Sequence, residues 1–137
     1  MSTVSELRLS RIAHPSAIKS LRHAFLAFLR ANDVLEDCAA DIATAVGEAL
    51  ANAAEHAYGE NLSGSVEVYA RVEPTEVVVE VLDRGVFVER PRREGRGFGL
   101  RIIKAVARTV SIDRDGGTRV RMVFDARYVQ QQPLEAS

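Results

Sequence analysis

The sequence predicts an α+β fold, a two-layer sandwich in which three helices cover one face of a mainly antiparallel, mixed sheet. Three observations carry this. Stretches of strict apolar–polar alternation, the mark of half-buried strands, occur near the start, in the middle and near the end of the chain. Three stretches with apolar residues at helical spacing lie between them. The order strand, helix, helix, strand, strand, loop, helix, strand, strand places strands beside one another as hairpins. That order favours antiparallel pairing with the helices collected on a single apolar face.

The elements follow in order. Leu7 and Leu9 alternate with Arg8 and Ser10 and mark a first strand. Pro15 opens a helix, since proline is tolerated in the first turn. Ile18, Leu21, Phe25 and Phe28 form its apolar stripe, and Asn32-Asp33 ends it. A longer helix is expected from about Val34 to Tyr58, with Leu35, Cys38, Ile42, Val46, Ala49 and Ala53 buried and Asp41 and Glu48 as polar interruptions. Gly59 ends it, and a loop through Asn61, Ser63 and Gly64 follows. Val66, Val68, Ala70 and Val72 then alternate with polar neighbours. Pro74-Thr75 turns the chain, and Val77, Val79 and Val81 repeat the alternation. The pair reads as a hairpin with one packed face and one wet face. Residues 84 to 98 form a glycine- and arginine-rich loop, followed by a third helix over about Gly99 to Arg108. Two last strands centre on Ile112 and on Val120, Met122 and Phe124, joined through Asp115-Gly116-Gly117, a strong hairpin signal.

Length and composition bound the function. A chain of 137 residues, 47 % hydrophobic and 27 % charged, suits one soluble globular domain. The expected core runs from about 7 to 125, with a frayed tail over 126–137. The net charge of −1 shows no basic excess, so no direct nucleic-acid partner is expected. The cluster Arg90-Pro91-Arg92-Arg93 is interleaved with Glu89 and Glu94 and reads as a solvated loop. Cys38 is the single cysteine, which excludes an intrachain disulfide and a cysteine-based zinc site; its apolar helical position suits a buried thiol. No apolar run approaches the roughly 18 residues that span a bilayer. Nor does the start of the chain resemble a signal peptide. A cytoplasmic protein without a membrane partner is the expectation.

Three groups of residues carry chemistry. Glu48, Asn52 and His56 stand at i, i+4 and i+8 of the second helix. At about 100° per residue they drift over an arc of only about 80°. Each precedes a small residue, Ala49, Ala53 or Ala57, so the trio edges the core as a cleft wall would; a polar stripe on an exposed helix has the same pattern. Asp83 continues the face of Val77, Val79 and Val81, because strand faces repeat every two residues. A carboxylate there points under the helices and needs a donor, which a ligand amino group would supply. Gly85 follows, permitting close approach of a flat ring; a turn-forming Asp-Arg-Gly is the alternative. Gly95-Arg96-Gly97-Phe98-Gly99-Leu100 opens directly onto the third helix. Bare glycine backbone N–H groups at a helix start favour an anion such as phosphate.

Taken together and in this order, these motifs resemble the GHKL ATP-binding superfamily, and more narrowly the stand-alone anti-sigma factor serine/threonine kinases of bacteria. The likeness runs from about Ser10 to Phe124. Glu48-Ala-Leu-Ala-Asn52-Ala-Ala-Glu-His56 resembles the family's first box, Asp83-Arg84-Gly85 the second, Gly95 to Leu100 the third, and Gly117-Thr118 the late Gly-Thr before the final strand. The resemblance implies that Asn52 ligates Mg²⁺ on the ATP phosphates and that Glu48 is the general base. It implies that Asp83 accepts from the adenine amino group with Gly85 and Thr118 nearby. Gly95, Gly97, Gly99 and Leu100 would form the phosphate loop, with Arg96 adding charge. His56 would pack beside the nucleotide or touch phosphate. It further implies a kinase that phosphorylates an anti-anti-sigma antagonist and holds a sigma factor inactive, with the face near the first helix, where Lys19, Arg22, His23 and Arg30 lie, serving a homodimer and partner docking.

The chain also departs from the family pattern. Phe87 stands where the second box has another glycine, and the segment from Gly85 to Gly95 is short. These two features point toward a second reading, a nucleotide-binding switch that grips its partner without phosphoryl transfer. The glutamate at position 48 points toward the kinase, since it suits a hydroxyl nucleophile. A sandwich domain that binds no nucleotide is the third reading.

Overall fold

The computed structural model describes residues 4–58, 64–84 and 99–127, with the backbone alone for 56–58 and 99. Eight elements appear in the expected order: β1 (Ser5–Ile12), α1 (Pro15–Ala31), α2 (Glu36–Tyr58), β2 (Ser65–Val72), β3 (Glu76–Asp83), α3 (Gly99–Val106), β4 (Thr109–Asp113) and β5 (Thr118–Asp125). The strands form one sheet in the order β1-β2-β3-β5-β4. Every pairing is antiparallel, the limiting case of the mainly antiparallel sheet expected from the hairpin order.

Local chemistry sets the boundaries. His14 caps α1 through Nδ1, which accepts from the Ser16 backbone N–H at 3.2 Å, and Pro15 fills the first helical position. Asn32 closes α1 by donating from Nδ2 to the Phe28 carbonyl at 2.8 Å, and Asp33 turns the chain at φ +62°, a conformation its short polar side chain tolerates. α2 starts two residues later than the apolar spacing suggests. The Leu35 N–H donates instead to the Arg127 carbonyl, 2.8 Å away, so this stretch is held as extended chain. Glu36 and Asp37 then complement the positive end of the helix. α3 ends two residues early, because the Arg108 N–H donates to the Val123 carbonyl at 2.7 Å and draws the chain into the sheet.

The core lies between the helices and the inner sheet face. Val66, Val68, Ala70 and Val72 of β2, Val77, Val79 and Val81 of β3, and Met122 and Phe124 of β5 are buried against Leu21, Phe25 and Leu29 of α1 and Ile42, Val46, Ala49, Leu50 and Ala53 of α2. α2 is buried more widely than one stripe, since Ala39, Ala43 and Ala45 are also enclosed. Leu35 and Cys38 sit at its margin; Cys38 is half-buried against the core rather than enclosed. Phe25 is fully enclosed and lies far along the chain from the candidate site residues. Phe25→Ala is expected to cost about 3–5 kcal/mol in urea unfolding, through lost transfer energy and the cavity left behind.

The outer face is mostly polar but encloses one apolar pair. Val78 and Val123 pair across β3 and β5 on that side and are nearly enclosed. Ion pairs flank them. Arg108 donates to Asp125 at 2.6 Å and to Glu76 at 3.0 Å on one side, and Arg121 stands 3.9 Å from Glu80 on the other. The aliphatic stems of such side chains shield apolar surface while their charges stay in water. Further along, the Arg8 guanidinium lies 4.4 Å from the Tyr69 ring centroid, and the Tyr69 hydroxyl donates to Glu6.

Candidate functional site

Residue parity along β3 places its last side chain. Val77, Val79 and Val81 point inward, so Asp83 does as well, and it is buried with only 6 % of its surface exposed. It is the buried charged residue among those described. Sheet register then sets its neighbour. Asp83 lies directly opposite Thr118, the first residue of β5, just as Val81 lies opposite Val120 and Val79 opposite Met122. A buried carboxylate and a half-buried hydroxyl thus stand side by side at one end of the inner face.

α2 forms the roof. It packs on β2, β3 and β5 and on α3. Glu48 and Asn52 are both half-buried, while Ala49 and Ala53, one step round the helix, are enclosed. The pair therefore edges the core, as their spacing implies. The backbone of His56 continues the same helix, and its side chain lies outside the described residues, as do Gly85, Phe87, Gly95, Arg96 and Gly97. Gly99 and Leu100 form the first turn of α3, which carries no acidic residue to offset its positive end. Leu100 is exposed, as is Ile112 at the inner-face end of β4.

Two glycines have structural consequences that the sequence does not show. A Cβ on Gly47 would come within 2.9 Å of Arg22 Cδ, so the arginine stem from α1 crosses α2 one residue before Glu48. A lone glycine inside a helical pattern is the signal that could have found it. Gly117, at φ +130°, lies against the backbone of Asp83.

A concavity of about 250 Å³ opens at the same end of the sheet. It is lined by Asp83, Gly117 and Thr118, by Glu67 and Arg119, whose side chains have outer-face parity, and by Asp115 of the β4–β5 hairpin, among others. It falls below the size of typical small-molecule pockets and adjoins the Asp83 site, since Asp83 and Thr118 also line it. Among the described residues no group of His, Cys, Asp and Glu side chains is arranged to hold a metal ion by itself. No described helix is long and apolar enough to cross a membrane.

Residues 12–124 match the histidine kinase-like ATPase domain family, a span that takes in α1 through β5 and every candidate residue. The chain belongs to this family. Among curated relatives, this ATPase domain is 24 % identical over 119 residues to an anti-sigma F factor of Clostridium beijerinckii, covering 78 % of the chain and 83 % of the relative. It is 30 % identical over 109 residues to the anti-sigma F factor of Bacillus subtilis, covering 69 % and 75 %. It is 27 % identical over 112 residues to the serine-protein kinase RsbW of Oceanobacillus iheyensis, covering 69 % and 68 %. A crystal structure of the RsbU and RsbW domains of a Mycobacterium tuberculosis protein superposes with a TM-score of 0.72 at 25 % identity. That match covers 92 % of the ATPase domain but 35 % of the longer protein, so this chain spans about a third of it.

Proposed function

We propose that this ATPase domain is an ATP-binding anti-sigma factor with serine/threonine kinase activity. It would phosphorylate an anti-anti-sigma antagonist and hold a sigma factor inactive when that antagonist is phosphorylated or scarce. The observation that carries the reading is the buried Asp83 carboxylate set opposite Thr118, beneath the helix that bears Glu48 and Asn52. Relatives named as anti-sigma factors and as a serine-protein kinase support it.

Each residue has a task in this reading. Asp83 accepts a hydrogen bond from the exocyclic amine of adenine, with Thr118 and Gly85 beside it. The side-chain carbonyl of Asn52 is an oxygen donor suited to a hard divalent cation, so Asn52 holds Mg²⁺ together with the phosphates. Bound Mg²⁺ supplies charge neutralisation on the triphosphate. Glu48, one helical turn before Asn52, accepts the proton of the attacking serine or threonine hydroxyl. The N-terminus of α3, with Gly95, Arg96, Gly97, Gly99 and Leu100, receives the phosphates. His56 flanks the same helix face. The protein works in the cytoplasm, and the helix-1 face around Lys19, Arg22, His23 and Arg30 serves a homodimer and the protein partners.

Phe87 favours one competing reading, a nucleotide-gated switch that binds its partner without transfer. The two separate when the protein is incubated with γ-labelled ATP, Mg²⁺ and the small antagonist protein encoded beside it. Label on a serine or threonine of an anti-anti-sigma antagonist supports the kinase. Tight ATP binding with no label on the antagonist replaces it with the switch.

A further inference from the structure

Gly117 lies against the strand end that carries Asp83. Gly117 sits at φ +130°, where a residue with a side chain is strained, and it packs directly on the end of β3. A Cβ built there would collide with the Asp83 carbonyl oxygen and stand 3.1 Å from its carbonyl carbon and 3.0 Å from Arg84 Cα. All three are backbone atoms, so no flexible side chain can swing away to make room. Its neighbour Gly116 is a contrast: it has φ +72°, and a Cβ there would meet nothing within 4 Å. Both glycines serve the turn, but Gly117 alone is also pressed against another strand.

We infer that Gly117 is a positioning residue for base recognition: its bare backbone lets the β4–β5 hairpin close onto β3, and this sets Asp83 beside Thr118 at the spacing that selects an exocyclic amine. The inference rests on the nucleotide reading above and adds to it the element that fixes the specificity. Restoring an ordinary contact distance would move one strand end by about an ångström, beyond the roughly half-ångström tolerance of a positioned recognition group. The shift falls on the Asp83–Thr118 pair, because Gly117 and Thr118 are consecutive and Thr118 is the register partner of Asp83. Base recognition is thus expected to fail before phosphate binding does, since the phosphate contacts come from α2 and α3.

The test compares ADP with inosine diphosphate, which carries an oxygen in place of the amine, by calorimetry with Mg²⁺. The wild-type chain is expected to prefer ADP by about 10- to 100-fold, the effect of one hydrogen bond to a charged acceptor. Asp83→Asn should lose most of that preference. Gly117→Ala should lose it to a similar degree while still binding inosine diphosphate, and Gly116→Ala should keep it. In case Gly117→Ala fails to fold, a second variant inserts one glycine between Gly116 and Gly117. It adds no side chain, and a longer surface turn is thermodynamically mild. Release of the hairpin should again erase the preference. If either folded variant keeps the wild-type ADP preference, or if Gly116→Ala loses it equally, Gly117 has no positioning role. In that case the nucleotide reading itself still stands. A wild-type chain that binds neither nucleotide overturns both.

Discussion

Glu48→Gln is expected to lower phosphoryl transfer to the antagonist by about 10²- to 10⁴-fold, the usual contribution of a general base. The amide has the same shape as the carboxylate and nearly the same helix propensity, so α2 and the enclosed Ala49 beside it should be undisturbed. It cannot accept the hydroxyl proton. ATP affinity should change little, and the loss should fall on kcat rather than KM, as expected for a group that acts only in the transition state. Single-turnover transfer of labelled phosphate measures this directly. Transfer at the wild-type rate would remove Glu48 from the chemistry, and the glutamate would then be a polar edge of the core.

Asn52→Ala should produce the largest change in binding. Asn52 is half-buried on α2, where alanine is a better helix former, so the thermal midpoint should hold or rise. If its carbonyl oxygen holds Mg²⁺, ATP affinity in the presence of the ion should fall by about 100-fold or more, to the level seen for the wild-type chain in EDTA. Calorimetry with and without Mg²⁺ separates the ion-dependent part from the adenine contact. An affinity that drops equally with and without the ion would show that Asn52 acts on the nucleotide rather than on the metal.

Much of this fold can be read from residue order, because the strands alternate cleanly and the helices bury continuous stripes. The inward aim of Asp83 follows from parity with Val81 and needs no structure. The ends of elements are less legible, since they depend on distant partners. Neither the Arg127 carbonyl that takes the Leu35 N–H nor the Val123 carbonyl that takes the Arg108 N–H is visible in local spacing. The enclosure of Val78 and Val123 on the wet face is hidden for the same reason, because it comes from cross-strand neighbours. For the site, residue types and spacing identify the acid, the amide and the strand-end carboxylate. They do not reveal that β3 pairs with β5, nor which residue faces Asp83. Gly47 and Gly117 illustrate the gap: each is legible as a glycine, but what it makes room for belongs to another element.

The pairing of β3 with β5 has a consequence for how the protein comes into being. Its neighbours β2–β3 and β4–β5 are hairpins that close over a few residues, whereas β3 and β5 meet only after α3 and β4 have been threaded between them. Closing so long a connection is entropically costly and slow, so the two hairpins should form early and the seam between them late. Because Asp83 and Thr118 face each other across that seam, the proposed binding site is among the last parts of the molecule to mature. Adenine nucleotide should accordingly slow amide exchange most strongly along this junction, as a ligand that recognises only the finished state.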